Sequence, residues 1–177
     1  MWFRSSGPKD ISYWGRFHAA AEGFTVQHDE EGGLWQLHAV VGARAVDLFL
    51  SLLHELAGPV SVAIEDGHTH RSWKGDGLQT DAVRAAFAPL RDPLIAESGF
   101  ELTVFNGDDQ VTLNPVREIF IYSKNERWAS VLEGKTVREV RMVRTQSWKG
   151  LRERVTPTPA LANAVDVAVN TLGLRTA

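Results

Sequence analysis

The stretch Phe100-Glu101-Leu102-Thr103-Val104-Phe105-Asn106-Gly107-Asp108-Asp109-Gln110-Val111-Thr112-Leu113 decides the fold. Two β-prone runs flank an Asn-Gly dipeptide, which readily takes the left-handed backbone that a tight hairpin turn requires. An antiparallel hairpin is therefore predicted over 100–113, entered from Gly99. Glu118-Ile119-Phe120-Ile121-Tyr122 continues the same sheet.

Working back toward the start, Val60-Ser61-Val62-Ala63-Ile64 reads as a strand with Val60, Val62 and Ile64 on one face. A helix over 44–57 precedes it, with Val46, Phe49, Leu50 and Leu53 at helical spacing and Gly58-Pro59 as its stop. A second hairpin is predicted from Phe24–His28 and Leu34–Val40 around Asp29-Glu30-Glu31-Gly32-Gly33. In its second run Leu34, Gln36, His38 and Val40 share one face, and Trp35, Leu37 and Ala39 the other. Residues 65–79 read as a long polar loop. Thr80 is expected to cap a helix carrying Val83, Phe87 and Leu90, divided by Pro89 and Pro93.

Working forward, a short helix over 125–132 ends at Gly134, and 137–143 alternates as a half-buried edge strand. A second polar loop carries Trp148. A last helix opens at Pro159, runs through Leu161, Val165 and Leu172, and stops at Gly173. The expected fold is α/β or α+β. A mixed, largely antiparallel sheet of about six to seven strands is covered by about four helices. No linker-like stretch divides the 177 residues, so 1–177 is read as one domain.

Composition bounds the chemistry. With no cysteine, thiolate metal sites and cysteine nucleophiles are excluded. No window approaches the run of about 20 apolar residues that a membrane helix needs, and the start has no signal-peptide core, so a cytoplasmic location is expected. The formal net charge of −3 argues against a nucleic-acid partner, although Arg138, Arg141, Arg144, Lys149, Arg152 and Arg154 form one basic stretch. Gly-x-Ser-x-Gly, Gly-x-x-x-x-Gly-Lys-Ser/Thr and Gly-x-Gly-x-x-Gly are all missing, which removes the common hydrolase and phosphate-cradle signatures.

Two features remain. Ser72-Trp73-Lys74-Gly75 recurs as Ser147-Trp148-Lys149-Gly150, each expected after a strand–helix–strand unit. The pattern is open between coincidence and an internal duplication, with pseudo-repeats at 34–97 and 117–173. Each copy sets an aromatic plane beside an ammonium. Arg71, Trp73 and Lys74, and likewise Trp148, Lys149 and Arg152, are candidate contacts for an anionic or planar ligand or a protein partner. The second feature is Glu65-Asp66-Gly67-His68-Thr69-His70. It resembles the His-x-His of amidohydrolases, but the chain is short for their barrel and has no histidine after His70, so that family is excluded. A divalent metal on His68 and His70 with Glu65 or Asp66 is the alternative, giving a metal-dependent hydrolase. With no catalytic signature, a non-catalytic binding, interaction or regulatory module without a cofactor is the leading expectation.

Overall fold

The computed structural model describes residues 19–146 and 158–177. Their centre is an eight-stranded antiparallel sheet in the order β1-β2-β7-β6-β5-β3-β4-β8. The strands are β1 (Gly23–Asp29), β2 (Leu34–Val40), β3 (Pro59–Asp66), β4 (Ser72–Gln79), β5 (Phe100–Phe105), β6 (Asp109–Leu113), β7 (Ile119–Ser123) and β8 (Arg175–Thr176). Helices α1 (Ala45–Leu52), α2 (Thr80–Phe87), α3 (Arg91–Ala96), α4 (Trp128–Gly134) and α5 (Pro159–Leu172) complete it. A 3-10 turn at Ala88–Leu90 carries α2 directly into α3, so the described helical layer has four segments. None of the described helices is long and apolar enough to cross a membrane.

Both predicted hairpins form. β5 and β6 pair with Leu102 opposite Leu113 and Val104 opposite Val111. The Asn106 side chain accepts the N–H groups of Asp108 and Asp109, and Gly107 takes φ 99°. In the other hairpin Val26 faces Leu37 and Thr25 faces His38.

The period-2 pattern divides the sheet into two chemically different faces. Phe24, Leu37, Ile121, Val111, Leu102, Val62 and Ile64 turn to the first face, where they join one core with Phe49, Leu52, Phe87, Leu90, Trp128, Leu161 and Val165 of the helical layer. A polar clasp closes this core at one end. Asp109 is buried and its carboxylate accepts from Ser123 Oγ at 2.5 Å, Trp128 Nε1 at 2.8 Å and Arg127 at 3.0 Å. The same guanidinium nitrogen of Arg127 donates to the Glu55 carbonyl at 2.8 Å, which fastens α4 to the end of α1.

The structure departs from the sequence reading in four places. Thr80 does not cap α2: it is the first residue of the helix, Gln79 stands at the cap, and the Thr80 hydroxyl donates to the Gly58 carbonyl at 2.6 Å instead. The predicted loop over 65–79 is a strand in its second half. Trp73, Lys74 and Gly75 pair with Ile64, Ala63 and Val62, and a register shift between Val60 and Val62 absorbs the extra residues. Next, 137–143 is not a strand of the sheet. It touches β1 and the residues before it through isolated bridges, Ala20 with Val143 and Phe24 with Glu139. Val140 lies across Gly23, where a Cβ would fall 2.8 Å from either of its methyls. Two separate pairs of backbone bonds hold this segment, Phe24 with Arg138 and Val140 and Ala20 with Met142 and Arg144, and the ladder is interrupted between them. Finally, β8 has too few residues to show any pattern, and the sequence reading missed it. The two strand–helix–strand units therefore share a strand and a helix, β2 with α1 and β7 with α4, and part at the third element.

Candidate functional site

Because Ser72-Trp73-Lys74-Gly75 lies in β4, consecutive side chains point to opposite faces. Trp73 turns to the first face, is 8% exposed and belongs to the core. Arg71 covers it, with the guanidinium carbon 5.0 Å from the ring centroid. Lys74 turns to the second face and is exposed. The aromatic plane and the ammonium of this motif are thus separated by the sheet. Trp148, Lys149 and Arg152 lie outside the described residues.

The same alternation separates Glu65 from Asp66. Asp66 points inward, and its carboxylate is committed to the β3–β4 turn. It accepts the His68 N–H at 2.8 Å and the Thr69 hydroxyl at 2.5 Å. The turn closes with the His70 N–H on the Asp66 carbonyl and His70 at φ 59°. Glu65 is on the opposite side and exposed. Among the described residues no group of three or more His, Asp and Glu side chains comes together as a metal would need.

What the sequence reading did not single out is the second face as a whole, which no described helix covers. Strand register sets its side chains in cross-sheet rows. One row runs Thr25, His38, Phe120, Thr112, Thr103, Ala63, Lys74 from β1 to β4. The next runs Gln27, Gln36, Tyr122, Gln110, Phe105, Ser61. Aliphatic side chains larger than alanine are missing from both rows, in contrast to the first face.

The centre of this face is buried and internally bonded. His38 Nε2 lies 2.9 Å from Glu118 Oε2, with both side chains buried, and the imidazole stacks on Phe120 at 4.2 Å. Glu118 is held in turn. Its other oxygen accepts the Gln146 N–H at 2.7 Å, and its own N–H donates to Asn114 Oδ1 at 2.8 Å. Thr103 and Thr112 share a hydroxyl–hydroxyl bond of 3.0 Å, and Gln110 Nε2 donates to Thr112 at 3.2 Å. Burial pushes the Tyr122 phenol above its ordinary pKa, and the nearby Glu101 carboxylate pushes it further. Buried polar groups cost stability unless their bonds are made, and here neighbouring side chains make them. Toward β3 and β4 the face opens: Phe105, Ser61, Ala63 and Ser72 are half-buried, and Glu65 and Lys74 are exposed.

The polar alternation in β6, Gln110 and Thr112 against Val111 and Leu113, was the signal that could have exposed this face. The His38–Glu118 contact, 80 residues apart, had none. A surface groove of about 470 Å³ also lies between α1 and α2, lined by Leu50, His54, Asp81, Arg84, Ala85 and Ala88. There Arg84 already donates to Asp81 at 2.8 Å, which ties up the groove's opposite charges. Comparison with family models, with curated proteins and with solved structures finds no match to this chain.

Proposed function

We propose that this chain is a non-catalytic binding module that takes a protein partner on the open end of the second sheet face. Its contacts are Ser61, Ala63, Glu65, Ser72 and Lys74. The observation that carries this reading is the contrast between the two faces. The first holds the apolar core with the helices, while the second is polar, bonded within itself at the centre and accessible at its β3–β4 end. Antiparallel sheets often pack one face and leave the other to solvent or a partner.

The small side chains Ser61 and Ala63 leave this end flat, so a partner can approach the strands closely. The fixed hydrogen bonds behind them hold the surface in one shape before contact, which lowers the entropy lost on association. Of the residues named from sequence, Lys74 belongs to this surface, while Trp73 serves the core beneath it.

Ala63→Glu tests the reading, because it sets a long charged side chain in the middle of the patch at a half-buried position. Wild type and variant are immobilised and exposed to extract from the native host, with circular dichroism and urea unfolding confirming equal folding. A protein retained in stoichiometric amount by wild type and lost with Ala63→Glu supports the proposal. Identical sets of retained proteins would refute it.

A further inference from the structure

The placement of β8 is dictated from inside the core. Gly75 has no side chain because Leu174 occupies the space: a Cβ there would lie 2.6 Å from Leu174 Cδ2. Leu174 is buried, and its N–H donates to the Val169 carbonyl at 3.0 Å across the left-handed Gly173 that ends α5. Beyond it, the Ala177 N–H donates to the Ser72 carbonyl at 3.0 Å. With both flanks pinned, the register puts Arg175 directly opposite Lys74.

Directly opposed residues of an antiparallel pair point to the same side, with Cβ atoms about 5 Å apart. Two exposed cations are therefore held side by side at the rim of the second face. Like charges in this arrangement destabilise a sheet. Several cations elsewhere are matched, as in Arg91 with Asp47, Arg127 with Asp109 and Lys124 with Asp108, and what sets Lys74 and Arg175 apart is that the strand register places them directly opposite each other. Among the described residues neither Lys74 nor Arg175 has an ion-pair partner, although Glu65 and Asp76 stand on the same two strands as Lys74 and its neighbour.

We propose that Lys74 and Arg175 form a two-point anchor for the carboxylates of an acidic segment in the partner protein. This rests on the reading of the second face as a protein-binding surface, and it names that partner's chemistry. A nucleic acid fits less well. The chain's net charge of −3 repels a polyphosphate at range, and Trp73, the ring next to Lys74 in the sequence, faces the other side of the sheet. The same net charge means that attraction of an acidic peptide has to come from a local site.

The test titrates the full chain with a fluorescent oligoglutamate peptide, an oligothymidylate and inorganic phosphate. Saturable, salt-sensitive binding of the peptide is expected, with Lys74→Gln and Arg175→Gln each weakening it about two- to fivefold. Lys74→Gln is also expected to raise the folding equilibrium constant about two- to fivefold, because it relieves the repulsion. Unchanged peptide affinity in both variants overturns the anchor. So does oligothymidylate or phosphate binding as tight as that of the peptide. If Ala63→Glu abolishes protein capture while Lys74→Gln and Arg175→Gln retain it, the anchor falls and the binding face stands.

Discussion

Replacing Asp109 with alanine should be among the most damaging single changes in the chain, and the structure sets the size of the effect. The carboxylate accepts three bonds, from Ser123, Trp128 and Arg127. Ser123 retains a second partner, the Asn125 carbonyl at 2.9 Å, so its hydroxyl is not orphaned by the change. Arg127 keeps its bond to the Glu55 carbonyl, and its side chain is 38% exposed, so water compensates much of its loss. The Trp128 indole N–H has neither relief, because the residue is 0% exposed and Asp109 is its acceptor. An unsatisfied buried donor costs about 1–3 kcal/mol, and a lost bond to a charged group about 1.5–3 kcal/mol. Together these give roughly 3–5 kcal/mol, close to the cost of breaking a buried charge pair. In a chain of this size that lowers the melting temperature by roughly 6–20 °C. Asp109→Asn keeps an oxygen for the indole but presents an amide N–H to Arg127, and should cost about 1–2 kcal/mol. Urea unfolding of wild type, Asp109→Ala, Trp128→Phe and the double variant closes a thermodynamic cycle with about 1–2 kcal/mol of coupling. Strict additivity, or a cost below about 1 kcal/mol for Asp109→Ala, would refute the clasp.

Thr103→Val or Thr112→Val alone should cost about 1–3 kcal/mol by orphaning a buried hydroxyl, while the pair together should cost less than the sum of the singles, read by urea unfolding. Gly23→Ala should destabilise by about 1–3 kcal/mol, because a Cβ would meet both Val140 methyls and the Arg138 carbonyl oxygen, within 2.9 Å; faster amide exchange at Phe24 and Val140 reports the detached segment. For Tyr122 the folded pKa is raised, so the phenol's contribution is complete below the unfolded value of about 10 and is lost as pH rises through the folded value. The ultraviolet difference titration of wild type against Tyr122→Phe should show this ionisation above that of free tyrosine, and a midpoint at or below it contradicts the burial argument. His68→Ala with His70→Ala should leave the zinc and manganese content of untagged protein unchanged, measured by elemental analysis, since Asp66 is already committed to its own turn.

How far the sequence speaks depends on whether local pattern and tertiary demand agree. In 100–113 they do: alternation, β-branched residues and Asn-Gly all require the hairpin that forms. Ser72-Trp73-Lys74-Gly75-Asp76-Gly77-Leu78-Gln79 carries two glycines and little apolar alternation, so its intrinsic preference is for a loop. It is a strand because β3 offers an edge and because Leu174 needs the space at Gly75. The opposite failure occurs at 137–143, where alternation is present but Val140 packs over Gly23 instead of beside it. For the site, one misread element had a large effect. Reading β4 as a loop let Trp73 and Lys74 act together, whereas strand geometry sends them to opposite faces.

The proposed use of the second face separates recognition from stability within one sheet. Phe24, Leu37, Val62, Ile64, Leu102 and Val111 on the first face are buried against helices, so changes there act on folding first. At the β3–β4 end of the second face Ser61 and Ala63 are half-buried and Lys74 is exposed, and substitutions away from buried features usually stay within about 0.5 kcal/mol. Any neutral residue at either position would remove the repulsion between Lys74 and Arg175. Under the proposed anchor, that repulsion is the cost of placing charge for a partner, which leaves the free protein less stable than it could be.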